Sequence, residues 1–387
     1  MSMKLCSTTL LVCVFMLCQL LSSANAVELE RSPSRGLDIR IDDQIRLSAG
    51  IRLQADAVRF GDDRTSLEND ADFRRARLTS TLDWSAWRLR ADYDYGISEG
   101  WKNLFVQYRG LNKQRITLGN QIAPFLMEDM TSSQHLPLME RSIASALNPG
   151  TLLGVSYHTW GDRWSLKTGV FGDELSDLDR RTLPGKSVNG RFTVAPVRHN
   201  AATLHIGIAG EYRQIDDDES VRLRARPGTR LTDRRLVNTG RIADVDQATN
   251  VGLELAVAHK NVRLQSEVVR TTFDGLEDFT FDSHLLMASV VFGGESYRYS
   301  HSRGVFDAAQ PNNRWGAIEL AARIARLDLS DGSITGGVQT ERTVGVSWIP
   351  NQKFRAMLNY SDIEASPNRK GADEDVSVLL FRLQMAI

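Results

Sequence analysis

Cysteine is missing from almost the whole chain. Cys6, Cys13 and Cys18 are the only three, and all lie near the N-terminus. The remainder cannot form disulfides, use a thiol nucleophile or build a thiolate metal site. Long apolar runs are missing too. No stretch of 18 or more apolar residues follows position 26, which excludes a transmembrane helix. Net charge is nearly absent: 47 Lys and Arg stand against 48 Asp and Glu, for −1 overall. Bulk electrostatics therefore give no reason to expect a nucleic-acid partner. Catalytic signatures are absent as well. The histidines (His135, His158, His199, His205, His259, His284 and His301) fall in no Gly-x-Ser-x-Gly or His-Glu-x-x-His context. No cofactor motif, EF-hand, fixed-period repeat or low-complexity tract is present. Asp216-Asp217-Asp218-Glu219 could hold calcium but lacks EF-hand spacing, and reads better as an acidic turn that bridges divalent ions.

What is present begins with an export signal. Lys4 supplies the positive charge, Leu10 to Leu21 the apolar stretch, and Ala24-Asn25-Ala26 the small-x-small cleavage site. The residues before Cys18, Phe15-Met16-Leu17, lack the small residue that precedes a lipidated cysteine. We expect residues 1–26 to be a cleaved signal peptide and 27–387 to form one domain, with 27–40 as a polar lead-in.

Within that domain the dominant signal is a period of two. Trp87, Leu89, Ala91, Tyr93 and Tyr95 alternate with Arg88, Arg90, Asp92 and Asp94. That spacing marks a β-strand with one apolar and one charged face. A soluble sandwich would bury the apolar face; a membrane barrel would turn it to lipid and the charges to a watery lumen. The same alternation recurs at Leu204–Tyr212, Val251–Val257, Ile318–Ile324, Val344–Trp348, Phe354–Tyr360 and Phe381–Ile387. Segments of about 8 to 11 residues match tilted membrane strands, whereas soluble strands are shorter. Trp84, Trp87, Tyr95, Tyr108, Trp160, Trp164, Trp348 and Tyr360 fall near segment ends. They fit either two interfacial girdles or ordinary core packing.

The connections differ in length. Short turns are expected at Gly161–Arg163, His259–Asn261 and Pro350–Gln352. Longer loops are expected at Gly61–Asp72, Gly172–Gly190, Asp216–Asp244, Gly304–Arg314 and Ser366–Asp375. Short turns on one rim and long loops on the other are the asymmetry of an outer-membrane barrel. Pro124 to Ser142 breaks the strand pattern. It is either a surface loop or a segment folded into the lumen.

Two basic groups carry the chemistry of a channel. Arg222, Arg224 and Arg226 project to one face of an extended segment, about 7 Å apart. Arg213 precedes them and Arg230, Arg234, Arg235 and Arg241 follow. Guanidinium stays charged and grips oxyanions with two donors. A row of them attracts an anion at each step without trapping it, unless the run is simply a solvated loop that touches lipopolysaccharide phosphates. Arg75, Arg77, Arg88 and Arg90 form the second group, inward-facing by alternation. Arg74 is either outward or at a local irregularity, and Asp92 and Asp94 partly neutralise this wall.

The chain resembles the phosphate-selective porin O and P family of Gram-negative outer membranes over nearly all of the domain. The matching residues are Phe73-Arg74-Arg75-Ala76-Arg77-Leu78, Leu118-Gly119-Asn120-Gln121 with Pro124-Phe125, Thr131-Ser132-Ser133, Met139-Glu140-Arg141-Ser142 and Gly169-Val170-Phe171-Gly172-Asp173. Further matches are Gly293-Gly294-Glu295, Trp315-Gly316-Ala317, Arg323 to Leu329 and Gly336-Gly337. The resemblance implies an all-β, transmembrane antiparallel barrel of about sixteen strands, with the third extracellular loop folded inward. It implies a homotrimer among lipid and lipopolysaccharide, passing small anions such as phosphate. It places Ser132, Ser133 and Arg141 at the constriction. The chain departs from the family pattern nearby. Gln121-Ile122 has no lysine where some members carry one, Glu128 and Asp129 put two acids beside the hydroxyls, and the last residue is Ile387, not an aromatic. The acids raise the cost of admitting a divalent anion, so a mild anion preference is expected here, or a pore for another anionic or polar solute.

Overall fold

The computed structural model describes residues 28–32, 36–61, 64–176, 183–199, 202–216, 219–367 and 371–387. The expected signal peptide, residues 1–26, lies outside them. The alternating segments are antiparallel strands of one 18-stranded sheet. Two of these form a short N-terminal hairpin, Glu28–Ser32 with Gly36–Arg40, where a polar lead-in was expected. The other sixteen close into a barrel.

Five long-to-medium strands open and bound the pore wall: β1 (Ile45–Gly61), β2 (Asp70–Trp84), β3 (Trp87–Asp94), β4 (Gly100–Tyr108) and β5 (Gln114–Ile122). Then come β6 (Thr151–Trp160), β7 (Trp164–Phe171), β8 (Lys186–His199) and β9 (Ala202–Gln214). The next are β10 (Val245–His259), β11 (Val262–Gly275) and β12 (Phe279–Phe292). The last are β13 (Ala317–Asp331), β14 (Ile334–Asn351), β15 (Phe354–Ser366) and β16 (Glu374–Ala386). Each pairs with its chain neighbour. β16 pairs back on β1, from Ser377↔Gly61 to Ala386↔Arg52, so the sheet has no open seam there. Ile387 exchanges backbone hydrogen bonds with Ile51 at the same seam.

Burial follows the alternation. Leu253, Leu255 and Val257 on β10 are exposed on the outer face, while Gly252, Glu254, Ala256 and Ala258 between them are buried. Apolar residues outside and polar residues inside are the inverse of a soluble sandwich and the pattern of a lipid-facing wall. Trp84, Trp87, Tyr95, Trp164 and Trp348 lie exposed on that outer face near strand ends, and Tyr360 is exposed at the middle of β15 (Phe354–Ser366). Their exposure rules out core packing for these side chains, while Tyr108 and Trp160 are half-buried. Strands β3–β7 keep the expected length at 8–10 residues, while β1, β2 and β8–β16 exceed it at 13–18.

Strand parity fixes which connections share a rim. The short turns 85–86, 161–163, 260–261 and 352–353 lie on one rim, with the N-terminal hairpin and Ile387. Loops 62–69, 123–150, 172–185, 215–244 and 367–373 lie on the other. One expectation is overturned. The segment containing Gly304–Arg314 joins β12 to β13 and therefore belongs to the short-turn rim. It was grouped with the long loops because its length and polarity match theirs; only the number of strands preceding it reveals its side.

Three segments fill much of the lumen. The third long-rim loop, 123–150, enters as expected, carrying a helical turn α1 (Met127–Met130) and a 3-10 turn (Ile143–Leu147). Phe125, Leu126, Met127, Leu138 and Met139 are at most 1% exposed. Leu126 and Leu138 fit against Gly252 and Gly345, where an added Cβ would come within 2.8 and 2.6 Å of them. Loop 215–244 enters above it, and Val221, Leu223, Leu236 and Val237 pack with Phe273, Phe281 and Ile363. The 293–316 segment enters from below. Arg191 pairs with Glu254 and donates to the carbonyls of Arg303 and Gly304 at 2.8 and 2.7 Å, and Arg263 lies 4.9 Å over the Tyr297 ring.

Candidate pore constriction and anion path

What the three segments leave open is a cavity of about 840 Å³. Its lining includes twelve arginines and Lys102 but only six carboxylates, so the open path is electropositive although the chain is neutral. Charge separation, not composition, makes the field.

The β1–β3 wall supplies the deepest cations. A bulge between Gln54 and Ala55 inserts Arg74 as an extra residue, which resolves its position: it turns inward and is 2% exposed. Arg74 pairs with Glu140 through two bonds of 2.6 and 3.0 Å. Arg75 and Arg77 share the inward face, as expected. Arg77 is paired with Asp94 at 2.9 Å and Arg90 with Asp92 at 3.0 Å. Arg88 faces inward too but stands at the short-turn rim. It forms a two-bond pair with Asp83, which also accepts from Arg109, and it does not reach the cavity.

Two cations of this wall have no carboxylate within 4.0 Å among the described residues. Arg75 donates to Gln54 Oε1 at 2.7 Å, and Arg52 donates to Ser133 Oγ at 3.1 Å. They sit on adjacent strands, one step apart diagonally, because Gln54 pairs with Arg75 and Arg52 with Arg77. Arg52 escaped the sequence analysis. It reads as one more polar residue in Arg52-Leu53-Gln54-Ala55-Asp56. The usable signal was that it is the one cation on that inward set.

The constriction loop divides its expected residues. Ser132, Ser133 and Arg141 line the cavity. Arg141 also ties the loop together, donating to the carbonyls of Glu128, Asp129 and Thr131 at 2.8–3.0 Å. Glu128 and Asp129 were expected together at the narrow point, and the loop separates them. Glu128 turns into the wall, accepts from Ser142 N and Oγ, and lies 3.3 Å from Arg323. Asp129 alone faces the path. Burial pushes its carboxyl above the ordinary aspartate range, against the opposing pull of Arg141. His135 lines the cavity as well, and burial holds its imidazole down to about 4, so it is neutral near pH 7. Glu140 behaves oppositely. Burial alone would raise it, but Arg74 and Arg382 outweigh that and hold it well below the usual carboxylate range.

The long-rim arginines keep their predicted alternation. Leu223 and Ala225 are buried in the packed side, while Arg222, Arg224 and Arg226 line the cavity with Arg230 and Arg235. Arg222 donates to Asn238 and Arg226 to Asp233. Arg213 is no part of this row; it is 1% exposed and paired with Glu211 on β9. Lys167 on β7 donates to the Ile122 carbonyl at 3.0 Å but is not among the residues that line the cavity. The acidic run at 216–219 lies partly outside the described residues. No group of acidic and histidine side chains suited to a metal occurs among the described ones.

The comparisons agree with this architecture. Porin O of Pseudomonas aeruginosa is 25% identical over 399 residues, covering 90% of each chain. Among solved structures, the trimer form of OmpT from Vibrio cholerae superposes with a TM-score of 0.56 at 10% identity. It covers 89% of this chain and 100% of that one. An anion-selective porin from Comamonas acidovorans gives 0.52 at 12% identity, with 89% and 100% covered. These two likenesses establish the porin barrel fold. The profile of the family described as phosphate-selective porin O and P matches residues 47–387, which is most of the chain. On that match, the chain belongs to the phosphate-selective porin O and P family of non-enzymatic outer-membrane channels.

Proposed function

We propose that this porin is a water-filled channel for passive diffusion of small anions, phosphate among them, with a mild preference for anions and no tight phosphate site. The observation that carries this is the pair Arg52 and Arg75, two inward guanidiniums in an arginine-lined cavity with no carboxylate within 4.0 Å among the described residues. An ion entering there meets uncompensated positive charge and one hydroxyl, Ser133. Arg222, Arg224 and Arg226 draw anions toward it from the long-loop rim, and Asp129 tempers the field. Binding that attracts without trapping is what conduction requires. The names of Porin O and of the anion-selective Comamonas porin fit this reading.

We infer further that the chain is exported by a signal peptide cleaved after Ala26 and works as a homotrimer among lipid and lipopolysaccharide. Strands β3–β7 span only 8–10 residues against 13–18 elsewhere, and their outer face exposes Leu89, Val106, Leu118, Leu153 and Val155. A low apolar wall suits contact with a second copy, and the OmpT relative has a trimer form. The test is the reversal potential of the refolded protein in planar bilayers across a KCl gradient, repeated with phosphate. Anion selectivity without block at low phosphate is expected. Cation selectivity would refute the reading, and block at low phosphate would restore a dedicated phosphate site.

A further inference from the structure

The cavity wall is not uniformly polar. Phe105 on β4 turns inward, with Arg90 as its cross-strand partner on one side and Gly119 on the other. Gly119 holds φ +132°, and a Cβ there would lie 2.7 Å from the Phe105 Cα. The same Cβ would lie 2.2 Å from the Leu104 carbonyl oxygen, so glycine is what lets the β5 backbone approach β4 beside Phe105. Ile122 at the end of β5, Ile97 after β3, and Ile143 and Ala146 in the constriction loop line the same cavity. One part of the path is therefore guanidinium, from β1–β3 and the 222–235 segment. A second part is supplied by apolar side chains from β4, β5 and the constriction loop, set among polar neighbours such as Lys102, Asn103, Ser132 and Ser133.

Inorganic phosphate uses only the first part. A fully hydrated oxyanion loses water beside hydrocarbon and gains nothing there. Most wall arginines are also already matched: Arg74, Arg77 and Arg90 each have a carboxylate, which leaves Arg52 and Arg75 to meet a solute. A monoanion with an apolar body uses both parts. Its carboxylate accepts from guanidinium, and its body removes apolar surface from water. We propose that the cavity is a binding site for amphiphilic monoanions, carboxylates carrying an aromatic or short aliphatic body, with Phe105 as a specificity-determining residue. The proposal rests on the anion-channel reading above and narrows its solute class.

The test is block of the chloride current in planar bilayers by acetate, butyrate, benzoate and phosphate at one ionic strength. The half-blocking concentration is expected to fall along the three carboxylates, with benzoate about tenfold below acetate. Phe105→Ser is expected to shrink that ratio to about threefold or less, and Phe105→Leu to keep part of it. Equal block by all three carboxylates, or phosphate acting below benzoate, would overturn the proposal. The wild-type series decides alone if a variant does not fold. Cation selectivity in plain KCl would sink the underlying channel reading, whereas anion selectivity with a flat carboxylate series sinks only this proposal.

Discussion

On the β13–β16 side of the lumen, Arg323, Arg355 and Arg382 are at most 6% exposed, and each donates to a backbone carbonyl of the constriction loop. On the β1–β2 side, Arg52 and Arg75 donate to one neutral side chain each and face the open path. Both sets sit at inward positions of equivalent strands. The difference lies in what covers them. Where loop 123–150 lies against the wall, buried carboxylates and carbonyls consume the guanidiniums. Arg382, for instance, holds Asp56 at 2.6 and 2.7 Å and Glu140 at 2.7 Å. Where the loop offers only a hydroxyl, as Ser133 does to Arg52, or nothing, as at Arg75, the guanidinium has no carboxylate within 4.0 Å among the described residues and lines the cavity. An arginine count along the wall is therefore a poor guide to selectivity, because clamps and selectors look alike until their partners are known.

The comparison breaks most visibly at a clamp. Arg382→Ala leaves buried Asp56 without a cation and Glu140 with Arg74 alone, which costs about 3–5 kcal/mol. We expect a lower unfolding midpoint in urea and detergent, and noisy, enlarged conductance as the loop loosens. An unchanged midpoint would mean that the clamp contributes nothing. The double variant Arg52→Ala, Arg75→Ala should do the opposite. Stability should hold, while the chloride-to-potassium permeability ratio from reversal potentials falls about threefold or more. A preserved ratio would move the selector elsewhere.

Replacing Arg222, Arg224 and Arg226 by Gln should lower conductance about twofold at low salt and scarcely at 1 M, because screening removes the steering field. A salt-independent loss would argue for direct binding instead. The smallest effect belongs to Asp129→Asn, a slight rise in anion preference. Because the Asp129 carboxyl is held above its ordinary range, the wild-type preference should climb as pH falls from 7 and before ordinary carboxylates protonate. The variant should lack that slope. The stability linkage has matching signs. Asp129 contributes fully below the ordinary aspartate range, and loses that contribution as pH rises through its raised value. Glu140, held low by Arg74 and Arg382, contributes above the ordinary glutamate range and loses it as pH falls through its depressed value. Detergent-state unfolding midpoints between about pH 3 and pH 8 would separate the two.

Much of the architecture was legible without coordinates. The strict alternation at 87–95 and its repeats named the strands and their lipid face. Pro124 and Pro137, with the loss of the two-residue period between them, marked a break in the strand pattern, and only the family resemblance pointed that segment inward. The site was legible in parts: Arg75, Arg77, Ser132, Ser133, Arg141 and the 222–226 row all line the cavity. Arg88 shares their face but stands too near the rim, and Glu128 lies in the right loop with its side chain turned away. Such errors are of height and rotation, which alternation does not encode.

The sequence alone determined which face of each strand is wet and which is greasy, since a period of two admits only two faces and their chemistry differs. It also determined that the wet face carries arginine. Only the tertiary structure decided which arginines remain available. That depends on where three inward segments come to rest, and so on contacts between residues hundreds of positions apart, such as Asp56 with Arg382. It also set the 293–316 segment on the short-turn rim, because a rim is a property of strand parity and not of the segment's own composition.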